Sequence, residues 1–150
     1  MTRQWGVRSQ EVYNTLDPRL QQVMDFVLIV VADISLISGQ RTEDEQNKLY
    51  AEGKSQLRFP QSKHNHVPLS HAVDFQPYPM PNINATDPKR REKARKELWA
   101  SLAYVAGAAR VFAYANGVRL RWGGDWDMDG DLTDNNFDDL FHLELHFEDE

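Results

Sequence analysis

The chain has 150 residues, is 41% hydrophobic and 27% charged, carries a formal net charge of −6 and contains no cysteine. That length suits one domain with its own core. The lack of thiols excludes disulfides, a cysteine nucleophile and a cysteine zinc finger, so histidine and carboxylate remain as the strong metal donors, and net acidity argues against a general nucleic-acid binder.

The N-terminal segment MTRQWGVRSQEVYN has no apolar stretch of the secretory kind, which predicts synthesis and initial retention in the cytoplasm. Asp17 and Pro18 read as N-cap and first residue of a helix whose stripe is Leu20, Val23, Met24, Val27, Leu28 and Val31. The run VLIVVA at 27–32 falls far short of the ~20 residues a membrane span needs and is expected in the core. A short strand follows at 33–38. Thr42 and Glu45 form a capping box that opens a helix over 43–52, closed by Gly53. Arg41 thus stands at a strand-to-helix junction.

Residues 54–70 lack periodicity and read as a loop that carries His64 towards a short strand, HAVDF, bearing Asp74. Asp87 and Pro88 start the longest helix, with Leu98, Leu102, Val105, Ala109 and Phe112 at helical spacing and a stop at Asn116-Gly117. Its basic start, KRREKARKE at 89–97, is expected to be a solvated face. VRLRW at 118–122 alternates as a strand.

The segment DWDMDGDLTDNN at 125–136 sets Asp125, Asp127, Asp129 and Asp131 at alternate positions with Gly130 between the last two. This is the start of a calcium-loop pattern, in which close carboxylates are relieved of mutual repulsion by a hard cation. Asn136 stands where a bidentate glutamate would close the shell, leaving that task to Asp134 or Asp138. A solvated acidic loop is the simpler alternative.

The last predicted strand, FHLELHF at 141–147, puts Phe141, Leu143, Leu145 and Phe147 on one face and His142, Glu144 and His146 on the other. A His, Glu, His face is costly to bury without partners, which a metal or an open cleft supplies. All five histidines fall here or in SKHNHVPLSHAVDF, as His64, His66 and His71. Two or three imidazoles and a carboxylate from separate segments are what a zinc site requires. Spacing leaves open whether His142 or His146 is the ligand. Asp139, three residues before His142, is within reach of a water at the same ion.

These residues resemble the zinc D,D-peptidase superfamily, and within it the phage endolysins that are L-alanyl-D-glutamate peptidases. The pattern S-x-H, spacer, A-x-D is matched by Ser62, His64, Ala72 and Asp74, and the ending D-x-x-H-x-E-L by Asp139, His142, Glu144 and Leu145. SGQRT, AVDFQPYP and LRWGGDW fall in the same order as in those endolysins, so most of the chain is covered. The resemblance implies an α+β fold of the Hedgehog and D,D-peptidase type, a small antiparallel sheet backed by helices, with residues 1–150 forming a single zinc peptidase domain. It implies His64, Asp74 and His142 as zinc ligands and Asp139 as acid/base. Arg41 would polarise the scissile carbonyl or hold a substrate carboxylate, Glu144 would orient an imidazole, and Ser62 would support the site.

One departure is the spacer between His64 and Asp74, which is longer than the family pattern and contains His66, an alternative ligand. His71 and His146 are expected at the surface or behind the ligands. Some endolysins of this type also resemble the chain at the aspartate loop and are thought to use calcium there. The implied function is zinc-dependent hydrolysis of the L-alanyl-D-glutamate bond of peptidoglycan. The implied protein is a monomer that inserts in no membrane and reaches the wall from the host cytoplasm after a separate membrane-permeabilising protein acts. The alternatives are a D-alanyl-D-alanine carboxypeptidase or dipeptidase of the same superfamily, and a non-catalytic calcium-dependent binding module.

Overall fold

In a computed structural model describing residues 2–150, the order is α1 (Val7–Tyr13), α2 (Pro18–Phe26), a π-helical turn (Val27–Val31), β1 (Ile34–Ser38), α3 (Glu43–Ala51), a 3-10 turn (Lys63–Asn65), β2 (Ala72–Pro77), α4 (Pro88–Ala115), β3 (Leu120–Gly123) and β4 (Asp139–Leu145). The strands form one antiparallel sheet in the order β1-β2-β4-β3.

Helix starts follow the capping signals. Asp17 accepts a hydrogen bond from the Arg19 backbone N–H, Asp87 from that of Lys89, and Thr42 and Glu45 make the reciprocal box, each satisfying backbone donors that a helix start leaves free. Helix α1 was not foreseen. Its N-cap is Gly6 without a side-chain cap, and it has no acidic residue in its first turn.

The predicted helix through Val31 is α-helical only to Phe26. It then widens into the π turn, in which the Ala32 N–H donates to the Val27 carbonyl at 3.0 Å. Val27 and Leu28 are buried, whereas Ile29 and Val30 are 52% and 64% exposed. The expectation that the whole run is core is corrected, because a helical turn can face the core on one side only.

Helix α4 lies over the sheet through Leu98, Leu102, Val105, Ala106, Ala109 and Ala113, all buried at three- and four-residue spacing. An 18-residue window of α4 has the length and composition of a membrane span, with mean hydropathy 1.2. Its apolar face, however, is the one packed on the sheet. The basic start is solvent-exposed, with pairs Lys96–Glu92 at 3.0 Å and Lys93–Glu97 at 3.7 Å.

Strand alternation divides the sheet into two faces. Val73, Leu143 and Trp122 are cross-strand partners in one row, and with Leu36, Phe75, Leu120 and Leu145 they build the core against α2 and α4. Each such side chain stabilises the fold by about 1.5–3 kcal/mol on burial. The opposite face carries Asp74 beside His142, and Ala72, Glu144 and Arg121 in the next row.

Strand β4 starts two residues earlier than predicted and ends at Leu145, so His146 and Phe147 lie beyond it. The register between β3 and β4 shifts between Trp122 and Gly123, which brings Gly123 opposite Asp139. Close approach explains the glycine: a Cβ there would sit 2.0 Å from the Asp139 carbonyl oxygen.

Candidate metal centre and cleft

Cross-strand pairing of Asp74 with His142 supplies two side chains of the centre. The third comes from the loop between α3 and β2, where the 3-10 turn holds His64. Ser62 fixes that turn: its Oγ accepts from the His64 backbone N–H at 3.2 Å, and its own N–H donates to Asn65 Oδ1 at 3.2 Å. The Arg41 N–H donates to the His64 carbonyl at 2.8 Å, tying the turn to the end of β1.

His64 Nε2, His142 Nδ1 and Asp74 Oδ1 converge. The separations are 3.2 Å between the imidazole nitrogens, 3.3 Å from His64 to Asp74 and 3.2 Å from His142 to Asp74. Each imidazole is oriented through its other nitrogen. His64 Nδ1–H donates to the Gly39 carbonyl at 2.6 Å, and His142 Nε2–H donates to Glu144 Oε1 at 2.8 Å. These tautomers turn both lone pairs towards the Asp74 carboxylate, the arrangement that metal-ligating histidines adopt.

The donor set therefore fits a divalent cation: two neutral imidazoles and one carboxylate oxygen, all within 4.8 Å of one another. His64 is 1% exposed and His142 6%. Without a cation, burial pushes the His64 imidazole down. Burial also disfavours charge on His142, but hydrogen bonds with Asp74 and Glu144 outweigh it and carry that imidazole up to about 9. Burial raises Asp74, yet the two imidazoles hold its carboxyl far below the usual range; Glu144, likewise opposed by burial, is held at about 2 by His142 and Arg121. Neutral imidazoles and an ionised carboxylate are the forms in which these three side chains would hold a metal ion.

The centre opens into a cleft of about 820 Å³ whose lining includes Arg41, Arg121, Trp126, Phe137 and Asp139. Asp139 is the first residue of β4, and its carboxyl is raised chiefly by burial and also by the Asp74 charge. Arg41 Nη2 donates to Asp74 Oδ2 at 2.6 Å, Nε to Ser38 Oγ at 3.0 Å and Nη1 to Gln46 Oε1 at 3.4 Å. Three of its five N–H groups are thus engaged and two are left for the cleft. Behind the ligands, Arg121 Nη2 donates to Glu144 Oε2 at 2.8 Å, and Lys63 is 3.6 Å from the same oxygen. Trp126 lies against the His142 ring with centroids 5.6 Å apart. Neither Arg121 nor Trp126 was singled out from the sequence; the alternation of VRLRW placed Arg121 opposite the core residues, but only the strand register shows what it meets.

The remaining histidines lie outside the cluster. His66 donates through Nδ1 to the Leu69 carbonyl at 2.8 Å and stacks on His71 with centroids 3.3 Å apart; His71 faces Asp17 at 3.6 Å. His146 Nδ1 lies 3.7 Å from Glu150.

Of the four alternating aspartates, the structure gathers Asp125, Asp127 and Asp129 within 4.8 Å. Asp131 turns to Thr133, accepting from its N–H at 2.8 Å and its hydroxyl at 2.7 Å. Asp125 is buried and accepts from Arg110 Nη1 at 2.8 Å. The loop is closed on itself by Trp126, whose indole N–H donates to the Phe137 carbonyl at 2.7 Å, two residues before β4 begins.

Comparison with known proteins identifies the family and the fold. The family model for the phage L-alanyl-D-glutamate peptidases matches residues 1–146. The L-alanyl-D-glutamate peptidase of Escherichia phage T5 is 30% identical over 138 residues, 89% of each chain. The crystal structure of the Serratia marcescens L-Ala D-Glu endopeptidase ChiX aligns with a TM-score of 0.65 and 26% identity, covering 95% of this chain and 90% of that one. The chain belongs to the phage L-alanyl-D-glutamate peptidase family.

Proposed function

We propose that the protein is a zinc-dependent endolysin that hydrolyses the amide between L-alanine and D-glutamate in the peptide stems of bacterial peptidoglycan. The observation that carries the reading is the convergence of His64 Nε2, His142 Nδ1 and Asp74 Oδ1 at the base of a cleft that also contains Asp139. With no thiol in the chain, this donor set suits zinc. Bound there, zinc supplies Lewis acidity, which eases removal of a water proton and attack on a carbonyl.

The residues divide the remaining work. Asp139 takes the proton of the attacking water and passes it to the departing D-glutamate amine; burial raises its carboxyl and so makes it the stronger base. Arg41 holds Asp74 with one nitrogen, and its two uncommitted N–H groups stabilise the oxyanion that forms at the alanine carbonyl. Glu144 and the Gly39 carbonyl keep the imidazoles in their ligating tautomers. The protein acts on the wall after release from the cytoplasm by a separate membrane-permeabilising protein.

Metal-stripped protein is expected to leave soluble muropeptides intact and to regain cleavage with one equivalent of zinc. Cleavage by the stripped protein would refute the metal-dependent reading.

A second cation reading rests on Asp125, Asp127 and Asp129. Nearby, the Asp134 carboxyl is raised by burial and then by the charges of Asp129, Asp127 and Asp131. We propose calcium as the hard cation that relieves this repulsion and fixes the loop leading into Asp139. Calorimetric titration with calcium is expected to show one site in the wild type and none in Asp129→Ala, and no heat in the wild type would end this reading.

A further inference from the structure

We infer that Arg121 is the specificity-determining residue that binds the free α-carboxylate of the D-glutamate on the leaving side of the scissile bond. The inference rests on the proposed function. In peptidoglycan stems the D-glutamate continues through its side-chain carboxyl, so its α-carboxylate stays free, one carbon from the nitrogen that departs. A cleft that accepts this residue must provide a cation close to the metal centre.

Among the described residues four lysines and arginines line the cleft: Arg41, Lys54, Lys63 and Arg121. Arg41 engages Asp74, Ser38 and Gln46 with three of its N–H groups, and its two remaining ones are those assigned above to the oxyanion at the alanine carbonyl. Lys63 donates to the Leu145 carbonyl and to Glu150. Lys54 is 67% exposed and pairs with Glu52 at 2.8 Å, so it gives little fixed direction.

Arg121 differs from all three. Among the described residues its guanidinium makes one hydrogen bond, from Nη2 to Glu144, and its buried Nε has no partner. Its side chain is 26% exposed, enough to reach a ligand and too little for full hydration. Trp126 flanks it, with the guanidinium carbon 5.6 Å from the ring centroid, and the same indole lies against His142. The guanidinium is therefore held near the ligands by Glu144 and Trp126 with donors to spare, a planar fork suited to a carboxylate.

The test crosses two changes. Wild type and Arg121→Gln, which retains a donor for Glu144, are each assayed on two stem peptides, one with the D-glutamate α-carboxylate and one with it converted to the carboxamide. The wild type is expected to favour the carboxylate by about 10- to 100-fold in kcat/KM, the worth of a charged hydrogen bond. Arg121→Gln is expected to bring that ratio close to one, and Arg121→Lys to restore part of it. In parallel, calorimetry on metal-free protein is expected to show weaker binding of the product peptide beginning with D-glutamate in Arg121→Gln than in wild type. Equal losses on both substrates, with the ratio unchanged, would show that Arg121 serves only Glu144 and overturn the inference alone. Failure of the wild type to cut either peptide at this bond would overturn the inference together with the function it rests on.

Discussion

His142 Nε2–H donates to Glu144 Oε1 at 2.8 Å, from two positions away on the same face of β4. The bond fixes which imidazole nitrogen faces Asp74 and His64. Glu144 is itself held by Arg121 from β3 and Lys63 from the 3-10 turn. Removing such an orienting partner costs about 10- to 100-fold in metal affinity. Glu144→Ala is therefore expected to weaken zinc binding by that factor in competition with a chromophoric chelator. Wild-type affinity in this variant would mean that the hydrogen bond does not prepare the ligand.

Gly123 and Asp139 give a second prediction. A Cβ at 123 would lie 2.0 Å from the Asp139 carbonyl oxygen and 2.9 Å from its Cβ, so Gly123→Ala must push the start of β4 away. Displacing a proton-transfer group by about 1 Å costs on the order of 100-fold. The variant is expected to lose that much kcat while its zinc content stays near one per chain. Full activity would separate Asp139 from the chemistry.

A prediction about stability concerns Tyr13, whose hydroxyl donates to Asp25 Oδ2 at 2.7 Å while the Trp5 indole donates to Oδ1 at 3.0 Å. Burial, then the Asp25 carboxylate, push the phenol up to about 12. The folded-state value lies above the unfolded one of about 10, so the protonated phenol stabilises the fold fully below pH 10. That contribution fades as pH rises towards 12. Thermal melts across this interval are expected to show a decline in wild type that is smaller in Tyr13→Phe. Parallel curves would remove Tyr13 from the account.

Much of this architecture is legible in local sequence. Asp17-Pro18, Thr42 with Glu45 and Asp87-Pro88 announce their helices through hydrogen bonds made within one turn. The family pattern singles out the residues that the fold gathers, His64, Asp74 and His142. What local sequence withholds is set by pairing between distant segments. The register shift opposite Gly123, the meeting of Arg121 with Glu144, and the length of β4 depend on how β3 docks on β4. The aspartate loop shows the same limit: alternate spacing ranks Asp131 with its neighbours, but Thr133 two residues later captures its carboxylate. Helix α1 lacked the cap and charge signals that a start leaves in sequence.

The most direct measurement is the identity of the new amino termini that appear when metal-loaded protein digests purified sacculi. Labelling those amines, hydrolysing the digest and resolving the labelled residue by chirality is expected to give D-glutamate, with L-alanine left as the new carboxyl terminus. Free D-alanine, or labelled termini at any other residue, would contradict the assignment of this cleft to the L-alanyl-D-glutamate bond.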